Sequence, residues 1–293
     1  MDKVIRKHLR KIQQKEEKFL LKTGGGILKP ITDKVEDKIP PELYDKLQQA
    51  FYLGFKTVFE KGSGIIEKTY DRDELMIHHR VYDQSFDLID KKKGLKGMNK
   101  MAGQNNLKNL GITAVEGSGL GLLGIGLPDI PVFIGVVLKS IYEISLSYGY
   151  DYRKNDEQYF ILKLLEASLA SDDEKEAASM QVDKLIDYYV KEVPIGYDID
   201  FQMRQTAESF AADMLCLKFI QGLPLVGVIG GAANVAYCKK ISDYAKIKYQ
   251  KRYLMQKEEQ SYRKEHVPEE RKENTKDVFS KTDDIDFQKG LEP

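Results

Sequence analysis

The chain has 293 residues, and its Lys plus Arg (46) equal its Asp plus Glu (46), so no global field favours nucleic acid and no nucleic-acid partner is expected. Two cysteines, Cys216 and Cys238, each in apolar surroundings, suit a reducing compartment and argue against a disulfide framework. The length is enough for a substantial core.

The first residues, MDKVIRKHLRKIQQKEEKF, are basic but lack an apolar run, so they do not read as a secretory signal, and no lipidation box is present. The expectation is a protein made and kept in the cytosol. Residues 3–22 place Ile5, Leu9, Ile12, Phe19 and Leu20 at helical spacing, with Lys3, Arg6, Lys7, Arg10 and Lys11 between them. Such a basic amphipathic helix can lie on anionic lipid. Docking of one stripe on the core, with the charges solvated, is the preferred reading. Thr23-Gly24-Gly25-Gly26 stops this helix.

Pro40-Pro41 opens the next helix, whose stripe is Leu43, Leu47, Ala50, Phe51, Phe55, Val58 and Phe59, and Gly62-Ser63-Gly64 closes it. A further helix carries Leu75, His79, Tyr82, Phe86 and Ile89 on one face, with Gly94 and Gly97 as its expected end. Adjacent His78 and His79 project about 100° apart, so they do not form a chelating pair, and no metal is expected.

The stretch Leu110 to Asp151 breaks the polar texture of the chain. Between Lys108 and Lys139 only Glu116 and Asp129 are charged, and glycines fall at 111, 117, 119, 121, 124, 126 and 135. Pro128 and Pro131 interrupt any single helix, so the natural geometry is a hairpin of two short helices joined at PDIP. Fifteen Leu, Ile, Val or Phe residues between Leu110 and Leu138 favour insertion by roughly 4.5–9 kcal/mol, and the two acids return about 5–7 of it. The hairpin therefore reads as the buried centre of a bundle or as a re-entrant wedge in lipid, the first being preferred.

Three more helices follow. Asn155 or Asp156 caps one through Tyr159, Phe160, Leu162, Leu165 and Leu169; Asp172 and Asp173 start another that runs to Val193 before Pro194; residues 198–220 carry Phe201, Ala207, Phe210, Met214 and Leu217. From Phe219 to Cys238 no residue is charged, and Gly222-Leu223-Pro224 echoes Gly126-Leu127-Pro128. Lys239, Lys240, Lys246, Lys248, Lys251 and Arg252 come next, with Tyr237, Tyr244, Tyr249 and Tyr253 about them, as a candidate membrane or anion contact, for RNA or anionic lipid, although such a face is more often simply solvated. No alternating strand pattern appears.

The expected fold is all-α: a multi-helix bundle with two central Gly-rich apolar helical hairpins. It divides into a basic helix and linker at 1–40, a helical domain at 41–255 and a charged, disordered tail at 256–293. Glu116, Asp129 and Asn234 are the candidate functional or structural polar residues: Asp129 as a helix cap, Glu116 paired with a lysine or with an amide such as Asn234. GxxxxGK[ST], GxGxxG, HExxH, CxxC and GxSxG are all missing, and Ser118 has no evident histidine partner, so no catalytic residue and no cofactor is expected.

Two motifs, GLPDIPVFIGVVLKSIYEISLSYGYD (126–151) and GLPLVGVIGGAANVAYCKKISDYAKIKYQKRYL (222–254), with Glu157, Phe160 and Leu164 between them, resemble the EcsC protein family over roughly residues 45–255. Lys139 departs from the Leu-Arg pair expected there, with positive charge retained. The family's founding member is named for an operon that also encodes an ABC transporter. The resemblance thus implies a helical protein beside membrane transport or secretion, and brings no catalytic motif. The leading expectation is a non-enzymatic protein on the inner face of the cell membrane, partnered by anionic lipid, an ABC transporter or another membrane protein. Its rival is a soluble enzyme or a binder of a small molecule or lipid, with a cleft near Glu116 and Asp129.

Overall fold

A computed structural model describes residues 2–21, 41–62, 66–103, 130–220 and 231–266. Glu116 and Asp129, with the first arm of the expected hairpin, lie outside these residues, as does the side chain of Asn234. Among the described residues every regular element is helical. They are α1 (Lys3–Leu21), α2 (Pro41–Thr57, continued as a π turn, Val58–Gly62), α3 (Arg72–Leu88), α4 (described over 91–103), α5 (Ile130–Ser147), α6 (Asn155–Leu169), α7 (Lys175–Val190), α8 (Ile199–Ile220) and α9 (Gly231–His266).

α5 is the centre of the bundle, packed by α2, α3 and α9. Ile134, Val137, Leu138, Ile141, Ile144 and Leu146 are buried, and so are Ser140, Glu143, Ser145 and Ser147 between them. A helix buried on all sides is one whose apolar residues go round it, which is how IPVFIGVVLKSIYEISLS reads. From Ser140 to Ser147 this arm of the glycine-rich stretch is thus enclosed by protein, while Pro131, Phe133, Gly135 and Val136 are half-buried. Among the described residues no helix is long and apolar enough to cross a membrane.

Around α5, α2 lies on α8, α8 on α6, and α6 on α7, while α9 touches α1, α5, α6 and α7. Phe210 of α8 collects Phe51 and Phe55 of α2, Phe133 of α5 and Tyr237 of α9, with ring centroids 5.3–6.3 Å apart. Offset and edge-on aromatic pairs of this kind add to simple area burial.

α1 docks Ile5, Leu9 and Ile12 on the core with its charges outward, as the preferred reading had it. Other expectations change. Gly94 and Gly97 do not end α3; they lie inside α4, where the missing side chains let the two helices touch. The cap position of α6 is Lys154 and makes no side-chain hydrogen bond, so neither Asn155 nor Asp156 caps it. Phe201 is exposed, and the inner face of α8 runs instead through Met203, Ala207, Phe210 and Met214. α9 continues to His266, well into the stretch expected to be disordered. Its charged end is held by Lys257 on Asp83 (2.8 Å) and Asp87 (2.7 Å) and by Arg263 on Glu192 (3.0 Å).

Candidate functional site

The turn after α5 gathers most of the bundle. Gly149 has φ +85, a backbone state that side chains resist, and a Cβ there would stand 2.2 Å from His79 Nε2. The His79 Nδ1 lies 3.2 Å from the Ser147 carbonyl oxygen. Burial holds the imidazole below its ordinary pKa, against the opposing pull of Asp83. Tyr148 donates its hydroxyl to Asn99 of α4 (2.6 Å) and Tyr150 to Gln256 of α9 (2.9 Å), while Asp151 pairs with Arg72 of α3 (3.0 Å). Each successive side chain of SYGYD (147–151) from the tyrosine onward thus meets a different part of the fold.

On the outer side of this turn lies a cleft of about 660 Å³, lined by Glu67, Lys68, Thr69, Tyr70, Asp71, Arg72, Asp73 and Arg153. Two of these lining residues, Glu67 and Tyr70, bond to Tyr152, which is stacked on Tyr142 with centroids 3.9 Å apart. Tyr70 donates to the Tyr152 hydroxyl (2.7 Å), Tyr152 donates to Glu67 (2.7 Å), and Arg153 grips both Glu67 oxygens (2.9 and 2.6 Å). The arginine's hydrogen bonds keep Glu67 below its ordinary pKa, while burial pushes the Tyr152 phenol up to about 12 and Tyr70 higher still. A carboxylate held ionised beside phenols held neutral binds polar groups, but it is poorly placed to exchange protons at neutral pH.

On the inner side, α9 carries the polar core. Lys248 is fully enclosed, ion-paired with Glu16 of α1 and with Asp183 of α7 (2.6 Å), and it donates to the Ser179 carbonyl (3.1 Å). Lys251 spans the same two acids at 3.2 and 2.8 Å. Burial pulls Glu16 upward, but the two lysines outweigh it and hold the carboxyl below its ordinary value; the acids likewise outweigh burial to raise Lys251. Four residues on, Arg252 meets Glu157 of α6 (2.7 Å), and the Tyr249 hydroxyl donates to the other oxygen of that carboxylate (2.6 Å). The guanidinium carbon lies 4.0 Å from the Tyr150 ring centroid and 4.7 Å from those of Phe160 and Tyr189.

These placements take Lys248 and Arg252 out of the anion contact expected over 239–252. Lys248 and Arg252 point into the bundle, because they occupy the inward positions of α9 beside Ile241, Tyr244, Tyr249 and Ala245. Lys239 is exposed and pairs with Asp243 (2.5 Å); Lys246 shares that acid (3.0 Å), and Lys240 reaches Asp213 (3.6 Å). Sequence reasoning missed Glu16, and named Glu157 only among the residues that carry the family resemblance, not as an ion-pair partner. The signal for Glu16 was present: it follows Ile5, Leu9 and Ile12 on the inward stripe of α1, where an acid requires a buried cation.

Residues 3–254 match the model of the EcsC protein family. The match takes in α1, which the resemblance drawn from the two motifs had left outside. Two curated relatives, both from Bacillus subtilis (strain 168), are similar over most of their length. Protein EcsC is 24% identical over 229 residues, covering 77% of this chain and 85% of that protein. The uncharacterized protein YdbA is 24% identical over 247 residues, covering 75% and 85%. No solved structure matches.

Proposed function

The chain belongs to the EcsC protein family, and on that premise we propose a non-enzymatic helical protein that works at the inner face of the cell membrane, as an accessory to an ABC transporter or other membrane machinery. The observation that carries this reading is α1. Its stripe of Ile5, Leu9 and Ile12 is committed to the core, while Lys3, Arg6, Lys7, Arg10, Lys11, Lys15 and Lys18 all face outward, with Glu17 the exposed acid among them. Each basic residue near an anionic leaflet is worth about 1 kcal/mol, so seven on one short helix draw the protein toward such a surface within a Debye length. The non-enzymatic part of the reading is supported by the acids: Glu16 and Glu157 inside the bundle, Asp183 at its edge and Glu67 on the cleft each close on a cation from another part of the fold, as braces do.

The test is flotation of the full chain with vesicles of phosphatidylcholine alone or mixed equally with phosphatidylglycerol. Binding to the anionic vesicles that weakens steeply with added salt is expected. An absence of binding at low salt sinks the reading.

A further inference from the structure

We propose that α3 and α4 form the lipid-seating element of this protein, an apolar row and a lysine row on one side of a helical hairpin that dock together on an anionic bilayer. The inference rests on the reading of the protein as one that works at a membrane surface, and names the surface that makes the contact.

The two helices are antiparallel. Only Ile89 and Asp90 separate Leu88 from α4, and Asp90 Oδ1 accepts from the N–H groups of Lys92 (2.8 Å) and Lys93 (3.2 Å). A Cβ on Gly94 would stand 2.5 Å from the backbone of Phe86 and Tyr82, and one on Gly97 would stand 2.3 Å from the Tyr82 ring. Gly94 with Phe86 and Gly97 with Tyr82 fix both the direction of the pair and the faces in contact.

Counting about 100° per residue from the midpoint of Tyr82 and Phe86, Ile77, Val81 and Leu88 project about 140° away from that contact on average. Lys92, Lys93, Lys96 and Lys100 project by a similar angle on average, and the antiparallel arrangement brings both rows out on the same side. The aliphatic side is open: Ile77 and Val81 are each 56% exposed, Leu88 81% and Ile89 79%. All four lysines are exposed as well. Most of the hairpin's acids are engaged elsewhere, since Asp83 and Asp87 turn to Lys257 of α9 and Asp90 caps α4. Asp73, 3.4 Å from Arg72, and Glu74, both at the far end of the row, remain exposed on the lipid side.

An aliphatic line bordered by cations fits one surface best, the headgroup and acyl boundary of an anionic bilayer, where a helix lies in the plane with its apolar face sunk among the chains. A protein groove would satisfy the aliphatic residues without calling for four lysines, and a nucleic acid would satisfy the lysines while leaving the aliphatic residues in water.

The chain contains no tryptophan, so Val81→Trp in the full chain is a single reporter at an exposed position. With vesicles of equal parts phosphatidylglycerol and phosphatidylcholine, the indole emission is expected to move to the blue and to be quenched by brominated acyl chains. Adding Lys92→Gln, Lys96→Gln and Lys100→Gln is expected to weaken binding about a hundredfold, at roughly fivefold per lysine, with an unchanged thermal melt. Vesicle binding without quenching overturns the hairpin as the seat and leaves the membrane reading intact. No vesicle binding by the unsubstituted chain overturns both. An indole response to single-stranded RNA and none to vesicles assigns the lysine row to nucleic acid and overturns the proposal.

Discussion

Lys248 of α9 and Glu16 of α1 form a buried ion pair, and through it the helices nearest the two ends of the described fold are joined. Because Asp183 also reaches Lys248 (2.6 Å) and Lys251 also reaches Glu16 (3.2 Å), neither partner stands alone if the other is removed. Glu16→Ala is therefore expected to cost about 2–3 kcal/mol, below the roughly 3–5 typical of a broken buried pair. Glu16→Leu with Lys248→Met is expected to cost less than the two single changes added together. Chemical denaturation of the four proteins of this double-mutant cycle gives the coupling, and strict additivity would show that the pair does not act as a unit.

The fold class was legible because α-helical periodicity survives in nearly every segment, and α1, α2 and α6 follow their stripes closely. What was not legible is which polar residues sit on those stripes. Lys248 follows Ile241 and Tyr244 at helical spacing, and Glu16 follows Ile12. Each looks like an isolated exception until the other helix supplies the opposite charge. Gly94 and Gly97 misled for the converse reason: glycine marks a helix end and a close helix contact with the same letter, and only the position of Tyr82 and Phe86 decides between them. The cleft beside Tyr152 depends on residues more than eighty positions apart, such as Glu67 and Arg153, which no local pattern connects.

Gly149 should tolerate no side chain while His79 is present. The φ of +85 alone costs an alanine about 1 kcal/mol, and the 2.2 Å approach to His79 Nε2 adds a clash with a buried ring. Gly149→Ala is expected to lose about 3 kcal/mol or more. In a His79→Ala background the clash is gone, so the same change should cost only about the backbone share. Thermal melts of the two pairs measure this, and an equal cost in both backgrounds would rule out the contact as the cause.

His79 also predicts a pH dependence that precedes acid denaturation. Its folded pKa lies below the ordinary 6.5 because of burial, with Asp83 opposing and Lys257 and Arg80 adding to the depression. The unfolded chain therefore takes up a proton that the folded chain refuses, and stability falls as the pH drops from 6.5 toward the folded pKa. The slope is at most about 1.4 kcal/mol per pH unit. Glu16 acts lower: its folded pKa is depressed, so its contribution is present above the ordinary 4.5 and is lost only as the pH falls through the folded value. Replacing His79 with Gln should flatten the stability profile as the pH falls below 6.5 and leave the acid limb unchanged. If the profiles of the two proteins coincide there, His79 is not the group that titrates.

Arg252→Lys should behave as a severe substitution. The guanidinium holds Glu157 at 2.7 Å while its carbon rests 4.0 Å from the Tyr150 centroid and 4.7 Å from those of Phe160 and Tyr189, and only a flat cation can do both. A lysine keeps the charge but loses the stacking, at a cost of about 2 kcal/mol. Arg252→Met is expected to cost more, about 3–5 kcal/mol, because Glu157 then retains only the Tyr249 hydroxyl in a closed site. In the Arg252→Met background, Glu157→Gln should recover part of the loss by removing the stranded charge. A lysine variant as stable as the parent would mean that charge alone holds this corner, and the aromatic rings around it would then be packing rather than recognition.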